Sequence, residues 1–345
     1  MSGTAQASVR AALLGGGSFG LPSFRRIRSG EVPGLEIALV VSSPDRPSGR
    51  GLRTTATPVS QWARDEGLPL WCTADVNDPD SRARIAASGA KVLVIVSFGQ
   101  KIGEALLEGM AAFNLHGSLL PAWRGAAPVQ RALMSGERDV GVSVIGIAQR
   151  MDAGPVFATA STRVGESENS GELHDRLAEL GAQPMLRTLQ SLVDRMGAVP
   201  GASGAAAMSM LPMQAQDESL ATRARKLSRA DAFVDLALPA DGVRARINGL
   251  APWPGCDAAI SVPGSSDLPV KLLRARVSSD GPAHAAGDVG HVSGRGTVAC
   301  GTGEVEILEA QVPGGRAMTL ADLLRGRRLQ SMDRVTMRSA PPVAH

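Results

Sequence analysis

Cysteine is scarce in this sequence, and the three cysteines lie far apart. Cys72, Cys256 and Cys300 show no CxxC spacing, so they form neither a disulfide framework nor a zinc site, and they indicate a reducing compartment. No apolar run approaches the roughly 20 residues that a membrane-spanning helix needs. The start of the chain has no basic segment ahead of an apolar one, so we predict no signal peptide. We therefore expect a cytoplasmic protein with no membrane partner.

Strong net charge is absent as well. The 36 Lys and Arg residues against 33 Asp and Glu give a formal charge of +3, which neither requires nor excludes a nucleic-acid partner. Most of the basic residues are Arg, whose planar guanidinium pairs with two phosphate oxygens at once, so phosphate binding remains open.

At 345 residues the chain is longer than a single hydrophobic core usually supports, which predicts two domains.

The first half of the chain alternates apolar runs of strand length with helix-like segments. Near-continuous apolar runs of this kind are typical of strands buried on both faces of a largely parallel sheet. The predicted strands include Val9–Gly15, Leu35–Val41, Lys91–Gly99, Gly141–Ile147 and Pro155–Thr162. Helices are predicted at Leu21–Ser29, Pro58–Glu66, Pro79–Ser88 and Ser170–Met196. This alternation predicts an α/β domain over residues 1–196.

The pattern changes after residue 196. Gly197–Gln216 is rich in Gly, Ala, Pro and Met and carries no charge, which predicts a linker. Residues 217–345 then hold one helix, near Ala240–Asn248, among short strands separated by turn residues. The predicted strands are Ala232–Leu238, Asp257–Val262, Val270–Val277, Gly287–Ser293, Gly296–Cys300 and Glu304–Val312. Several short strands of this kind indicate a small barrel or sandwich.

A glycine-rich segment, GGGSFG at Gly15–Gly20, matches G-x-G-x-x-G between a predicted strand and a predicted helix. In a dinucleotide-binding domain such glycines let the backbone approach a pyrophosphate at a helix N-terminus. An acidic residue about 20 positions further on then holds the ribose. Glu36 lies near that distance, but inside an apolar strand. We favour a plain strand-to-helix turn.

A second loop, SPDRPSGRG at Ser43–Gly51, holds two Pro, two Gly and two Arg residues. Its simplest interpretation is a surface loop. The functional interpretation is a basic finger that reaches a large anionic partner. Arg46, Arg50 and Arg53 would then contact phosphates or base edges.

The segment FNLHGSLLPAWRGAAP at Phe113–Pro128 carries the clearest chemistry. Residues two apart on a strand point to the same side, so Asn114 and His116 should share one face at the strand's end, where α/β folds bind ligands. Asp152 follows another strand and precedes Gly154, so it is a candidate carboxylate near His116. Two of these residues also have structural interpretations, His116 as a satisfied core histidine and Asp152 as a turn residue.

Asn, His and Asp suffice for acyl transfer to an amine without a metal or a covalent enzyme adduct. An Asn amide can donate to a carbonyl oxygen as it becomes an oxyanion. A neutral His can take the proton that the attacking amine releases, while a carboxylate fixes its tautomer or holds a water. Direct attack then requires mainly positioning.

Two longer segments, FNLHGSLLPAWRGAAPVQRALMSG (113–136) and GVSVIGIAQRMDAGPVF (141–157), closely resemble the methionyl-tRNA formyltransferase family. The wider folate-dependent formyltransferase group shares N-x-H-x-SLLP and a downstream D-x-G. Gly249–Ile260 and Met318–Leu329 resemble signatures of the family's C-terminal, OB-like tRNA-binding domain. Two features depart from the family: GGGSFG stands where a GTPxFA-like turn is expected, and Phe98 replaces the usual Tyr.

The resemblance implies a Rossmann-like formyltransferase domain with a predominantly parallel sheet and a smaller OB-like β-barrel domain. It implies 10-formyltetrahydrofolate as formyl donor, initiator methionyl-tRNA as acceptor, no metal, and a monomer. Asn114, His116 and Asp152 fall on the family's catalytic trio. Its folate-side loop corresponds to Ser118, Leu119, Leu120 and Pro121. The residues expected to contact tRNA are Arg46, Arg50, Arg325, Arg327 and Arg328.

Three alternatives remain open from the sequence. Another folate-dependent formyltransferase, acting on a sugar amine or a purine precursor, would share the trio, but WRGAAP and the C-terminal domain argue against it. A nicotinamide-dependent dehydrogenase would use GGGSFG. A noncatalytic RNA-binding protein would not need Asn114, His116 and Asp152.

Overall fold

The computed structural model describes residues 8–48, 53–279, 289–327, 329 and 335–339. In chain order its strands are β1 (Val9–Gly15), β2 (Leu35–Ser42), β3 (Arg46–Ser48), β4 (Arg53–Thr55), β5 (Leu70–Cys72), β6 (Val92–Val96), β7 (Ala111–His116), β8 (Arg124–Gly125), β9 (Asp139–Gly146), β10 (Val156–Arg163), β11 (Arg223–Ala224), β12 (Cys256–Ser261), β13 (Leu268–Val277), β14 (Thr297–Ala299), β15 (Glu304–Gln311) and β16 (Thr336–Ser339). Its α-helices are α1 (Leu21–Arg28), α2 (Pro58–Asp65), α3 (Pro79–Ala87), α4 (Glu104–Leu107), α5 (Pro128–Met134), α6 (Ser170–Ala198), α7 (Gly204–Ser209), α8 (Ala240–Leu250) and α9 (Leu320–Gly326). None of these helices is both long enough and apolar enough to cross a membrane.

Seven strands form the main sheet, in the order β10-β9-β7-β6-β1-β2-β5. The five strands from β7 to β5 pair in parallel, and β9 is antiparallel to β7. Every residue of β6 is buried, as expected for a central strand covered on both faces. The prediction of a predominantly parallel α/β sheet is confirmed.

The helices next to this sheet begin where the sequence provides capping residues. Thr57 accepts a hydrogen bond from the Ser60 amide at the start of α2, and Asp78 accepts one from the Ser81 amide at the start of α3. A proline follows each cap at the first helical position, where its missing N–H costs nothing. Each side-chain cap contributes about 1 kcal/mol. These local signals explain why both helices begin at the predicted residues.

The chain divides into two compact units at boundaries that differ from the predicted ones. The first comprises the described residues within Met1–Ala126, Gly141–Ser161 and His174–Arg223, and the second those within Ala127–Val140, Thr162–Leu173 and Ala224–His345. The predicted linker Gly197–Gln216 therefore lies within the first unit. It contains α7, whose Ala207 is fully buried, and Gln214 pairs with Val156 through the backbone. Apolar packing of small side chains fixes this segment despite its linker-like composition.

The second unit contains an antiparallel sheet in the order β14-β15-β13-β12-β16. Isolated bridges from His291 to Thr336 and from Val292 to Val298 connect the two edge strands, so the sheet nearly closes into a barrel. The core contains Val243, Ile247 and other apolar residues of α8 and the strands. The OB-like barrel is thus confirmed.

One predicted strand of this unit is wrong, and another is only partly described. Ala232–Leu238 forms no strand, although Ala232, Val234 and Leu236 are buried alternately. Residues 236–238 form a turn and a bend, and the segment is held by single backbone bonds, such as Gly301 N to Leu236 O, rather than by a ladder. In Gly287–Ser293 only residues from 289 on are described, and they make isolated bridges. Strand β16 was not predicted from the sequence.

Candidate functional site

Asn114 and His116 lie at the carboxyl end of β7, as predicted. In the antiparallel pairing with β9, Asn114 is opposite Ile145 and His116 is opposite Ser143. The His116 side chain is buried, with 6% exposure, and Asn114 is half-buried. The Asn114 side-chain amide lies at the ligand-binding edge of the sheet. Among the residues that the structure describes, none hydrogen-bonds to it. The amide is therefore available to a substrate.

The hydrogen bonds of His116 determine which ring nitrogen is basic. Nε2 lies 3.0 Å from the carbonyl oxygen of Trp123. Because a carbonyl can only accept, Nε2 carries the hydrogen, and in the neutral ring Nδ1 carries the lone pair. Nδ1 lies 3.6 Å from Oδ2 of Asp152. The free base of His116 thus faces a carboxylate that can stabilise the imidazolium once a proton arrives.

Asp152 occupies a turn beyond β9 in a left-handed backbone conformation, with φ of 54°. A non-glycine residue in this region costs on the order of 1 kcal/mol, so surrounding contacts must hold it there. One such contact is the Gly125 amide, which donates to Oδ2 at 2.9 Å. Oδ2 of Asp152 therefore accepts a hydrogen bond from the Gly125 amide and also lies near Nδ1 of His116.

The spacing of the D-x-G segment has a steric basis. Gly154 approaches the end of β9 so closely that a Cβ would lie 1.8 Å from the Gly146 carbonyl oxygen. Next to this contact the Gly146 amide donates to Pro155 O at 2.9 Å. Only glycine therefore fits at position 154. Because Gly154 packs against the end of β9, Asp152, two residues earlier, is held near the same end of the sheet.

Hydrogen bonds from its own Ser118 and from Ser143 of β9 stabilise the predicted folate-side loop. The Ser118 hydroxyl is buried and donates to Ala122 O at 2.6 Å. Ser143 of β9 donates to Ser118 O at 2.8 Å and accepts from the Leu120 amide at 3.1 Å. The side chain of Ser118 therefore shapes the loop, while Leu119, Leu120 and Pro121 are half-buried. Sequence reasoning missed Ser143, whose only signal is a lone hydroxyl in an apolar strand.

A buried arginine and a glutamine complete the site, and sequence reasoning missed both. Arg124 is 8% exposed and donates to Gln216 Oε1 through Nε at 3.0 Å and Nη2 at 2.7 Å. Arg124 also pairs with Glu218 at 2.9 Å, and this bond is the main reason that the Glu218 pKa lies below its usual value. Gln216 Nε2 donates to the carbonyls of Asp152 and Gly154, both at 2.7 Å. The signal for Arg124 was a single charge in an otherwise apolar loop.

The arginines predicted to contact tRNA are only partly described. Arg46 lies in β3, which forms a hairpin with β4, but its side chain and that of Arg53 lie outside the described residues, as do Arg50 and Arg328. Arg325 is 65% exposed and donates to Asp322 at 2.6 Å. Arg327 is exposed just beyond α9.

The glycine-rich segment forms a strand-to-helix turn, as we favoured. The amides of Gly16 and Gly17 donate to Ser97 O at 3.2 and 3.4 Å, so they are not free to hold a pyrophosphate. Glu36 lies at the amino end of β2 and accepts a bond from Ser8, whereas ligands bind beyond the carboxyl ends. Both observations argue against a dinucleotide site.

Titratable groups outside the trio offer no second reactive centre among the described residues. Burial raises the pKa of the Cys256 and Cys300 thiols to about 12, which keeps them protonated. In that part of the chain no group of three or more His, Cys, Asp or Glu residues could hold a metal ion.

Family models match both units. Residues 9–189 match the formyl transferase family and residues 226–328 match the formyl transferase C-terminal domain. These two matches, with the sheet and the barrel, define the class as a formyl transferase.

Curated relatives narrow this class. The methionyl-tRNA formyltransferase of Paracoccus denitrificans is 36% identical over 93% of this chain and 98% of its own length. That of Rhodopirellula baltica is 35% identical over 93% of this chain and 95% of its own. The chain belongs to the methionyl-tRNA formyltransferase family.

Solved structures share the fold at low sequence identity. An N-formyltransferase from Helicobacter canadensis, in complex with folinic acid and dTDP-3-aminofucose, matches with a TM-score of 0.60 and 9% identity over 86% of this chain and 98% of that one. HypX from Aquifex aeolicus, in complex with tetrahydrofolic acid, matches with a TM-score of 0.52 and 17% identity over 78% of this chain. This chain spans 44% of that longer protein. At these identities the likeness concerns the fold alone.

Proposed function

We propose that this chain transfers the formyl group of 10-formyltetrahydrofolate to the free amino group of initiator methionyl-tRNA. The names of its curated relatives support the acceptor, and the formyl transferase matches support the reaction class. One observation carries the chemistry: at the end of β7 the Asn114 amide, without a partner among the described residues, lies beside a buried His116 whose Nδ1 faces Asp152. Such a site can transfer an acyl group by direct attack.

Asn114 stabilises the negative charge that develops on the formyl oxygen. As the amine attacks the formyl carbon, the carbonyl π electrons move onto oxygen, and the Asn114 N–H groups donate to it. An amide that is free in the ground state and aimed at developing charge lowers the barrier without reorganisation. The half-buried position of Asn114 strengthens this interaction, because less water competes for the oxyanion.

His116 and Asp152 handle the proton. The attacking amine gives a proton to His116 Nδ1, and the resulting imidazolium gains a charge-assisted hydrogen bond to Asp152 Oδ2. The tetrahedral intermediate then collapses, the bond from carbon to the donor's nitrogen breaks, and that nitrogen takes up a proton. His116 returns to the neutral ring, and no covalent enzyme adduct forms.

The remaining assignments complete this proposal. The loop Ser118–Pro121 lies beside the trio and contacts the folate donor. Arg46, Arg50, Arg325, Arg327 and Arg328 contact tRNA phosphates, and the Arg325 guanidinium must share or exchange its Asp322 partner to do so. The enzyme acts as a cytoplasmic monomer without a metal.

Replacing His116 with Ala tests the assignment of the base. We expect methionyl-tRNA binding to stay within about threefold, while turnover falls by at least the 10²-fold that general-base catalysis contributes. His174→Ala is the matched control, because His174 pairs with its neighbour Asp175 rather than with a residue of the trio. Wild-type turnover in His116→Ala would disprove the base assignment.

A further inference from the structure

Gln216 is bonded at all four of its side-chain hydrogen-bonding positions. Its Oε1 accepts from Arg124 Nε and Nη2, and its Nε2 donates one hydrogen to Asp152 O and one to Gly154 O. An amide has two donor hydrogens and one oxygen with two lone pairs, so no capacity is left over. The amide orientation is therefore fixed by its partners.

These bonds act on the turn that carries the catalytic carboxylate. The carbonyls of Asp152 and Gly154 lie two residues apart, and holding both fixes the backbone between them. Asp152 needs such support because its φ of 54° is unfavourable for a residue with a Cβ.

The other end of the bonded chain reaches His116. Arg124 lies between Trp123, whose carbonyl binds His116 Nε2, and Gly125, whose amide binds Asp152 Oδ2. Arg124 is buried, and its guanidinium donates hydrogen bonds to Gln216 and Glu218. A shift at Gln216 therefore moves both members of the proton-transfer pair.

We propose that Gln216 is a positioning residue for formyl transfer, which acts through Asp152 and is itself oriented by Arg124. The inference rests on the proposed function for its kinetic effect. It gives Gln216 a role at the site, although Gln216 lies 64 residues from Asp152 in the chain.

The isosteric variant Gln216→Glu isolates the role of the two donor hydrogens. A glutamate keeps the oxygen that Arg124 binds, and it turns a second, acceptor-only oxygen toward the carbonyls of Asp152 and Gly154. Arg124 remains paired, so the variant is expected to fold. Gln216→Met, of similar length, removes donors and acceptor together. Gln214→Glu is the matched control, because Gln214 is exposed and bonds to Val156 only through its backbone.

The test combines steady-state kinetics with amide hydrogen exchange at Gly125, measured by NMR. We expect kcat for formylation of methionyl-tRNA to fall about 100-fold in Gln216→Glu and Gln216→Met, as for a catalytic group displaced by about 1 Å, with both KM values within about threefold. The Gly125 amide should exchange about tenfold faster, because its bond to Asp152 Oδ2 is lost part of the time. Gln214→Glu should match the wild type in both measurements.

The exchange rate separates this inference from the function on which it rests. Unchanged Gly125 exchange in both Gln216 variants overturns the positioning role, whatever the kinetics show. If Gly125 exchanges faster in the variants but the wild type does not formylate methionyl-tRNA, the positioning role is supported and methionyl-tRNA is rejected as the acceptor. Increased KM with unchanged kcat would assign Gln216 to substrate binding and would also overturn the proposal.

Discussion

At the residue scale, one short loop sets the hydrogen bonding of the proposed proton-transfer pair, His116 and Asp152. Trp123 O fixes the hydrogen of His116 on Nε2, and the Gly125 amide fixes one oxygen of Asp152. Trp123, with φ of 62°, is itself in the left-handed region, so the loop carries backbone strain on the order of 1 kcal/mol where it contacts His116. Two of the described non-glycine residues with positive φ, Trp123 and Asp152, thus lie at the proposed site.

Removing the Asn114 amide tests the oxyanion assignment. Asn114→Ala should lower kcat by about 10² to 10³-fold, since loss of one oxyanion donor costs roughly 3–4 kcal/mol. KM should change little, because the interaction forms mainly in the transition state. Steady-state kinetics with both substrates measure the effect. A kcat within threefold of wild type would remove Asn114 from the mechanism.

The sequence predicts part of this site and misses the rest for a physical reason. Asn114 and His116 follow from the two-residue repeat at a strand's end, and Asp152 from its place after another strand. Gln216 and Ser143 carry no local signal, because their partners become neighbours only when distant segments fold together. The spacing of residues along the chain therefore does not predict the contacts of Gln216 and Ser143.

At the element scale, the turn after β9 depends on one close backbone approach. Gly154→Ala would place a Cβ 1.8 Å from Gly146 O, and a backbone oxygen cannot move aside cheaply. The turn must shift, and Asp152 must shift with it. We expect a loss of 1–3 kcal/mol in the free energy of unfolding, the usual cost of overpacking, and a kcat reduced by about 100-fold.

Denaturant unfolding and kinetics on the same preparation measure both effects. Gly201→Ala provides a control for stability, because a Cβ there meets nothing within 4 Å, although its φ of 84° carries strain. Full activity in Gly154→Ala would show that the turn does not need this contact.

Elements with strong local patterns were predicted well, and those defined by packing were not. The apolar runs of β1 and β2 and the capped helices α2 and α3 fall within a residue or two of the prediction. Ala232–Leu238 has the alternating pattern of a strand but lacks a partner ladder. Helix α7 was predicted as linker, because its Gly, Ala and Met residues give no amphipathic signal.

At the scale of the whole molecule, stability should depend on acid pH through carboxylates paired with arginine. Bonds from Arg274 at 2.6 and 2.8 Å are the main reason that the Glu172 pKa lies below its ordinary value. A carboxyl with a lowered folded-state pKa contributes stability above its unfolded pKa, and the contribution is lost as pH falls through the folded value. Glu172 is 48% exposed, so we expect under about 1 kcal/mol.

Glu172→Gln tests this contribution through thermal unfolding at neutral and acid pH. The variant should be less stable than the wild type near pH 7, and the difference should shrink below about pH 4. A difference that stays constant over this range would mean that the pair does not contribute through ionisation.

The two-unit organisation follows from length and composition, but its boundaries do not. A parallel sheet and a barrel were predicted from strand patterns, and both are present. The second unit also takes in Ala127–Val140 and Thr162–Leu173, since α5 packs against α8. Contacts of this kind join segments more than a hundred residues apart. A prediction made along the chain therefore assigns Ala127–Val140 and Thr162–Leu173 to the first unit.

The most direct test of the account is a formyl-transfer assay with the purified protein and 10-formyltetrahydrofolate. The acceptors are methionine-charged initiator tRNA, uncharged initiator tRNA and free methionine. Formyl groups should appear on the charged tRNA alone, at a rate that His116→Ala lowers by at least about 10²-fold. Formate released without an acceptor, or formylation of a sugar amine or purine precursor in place of the charged tRNA, would contradict it.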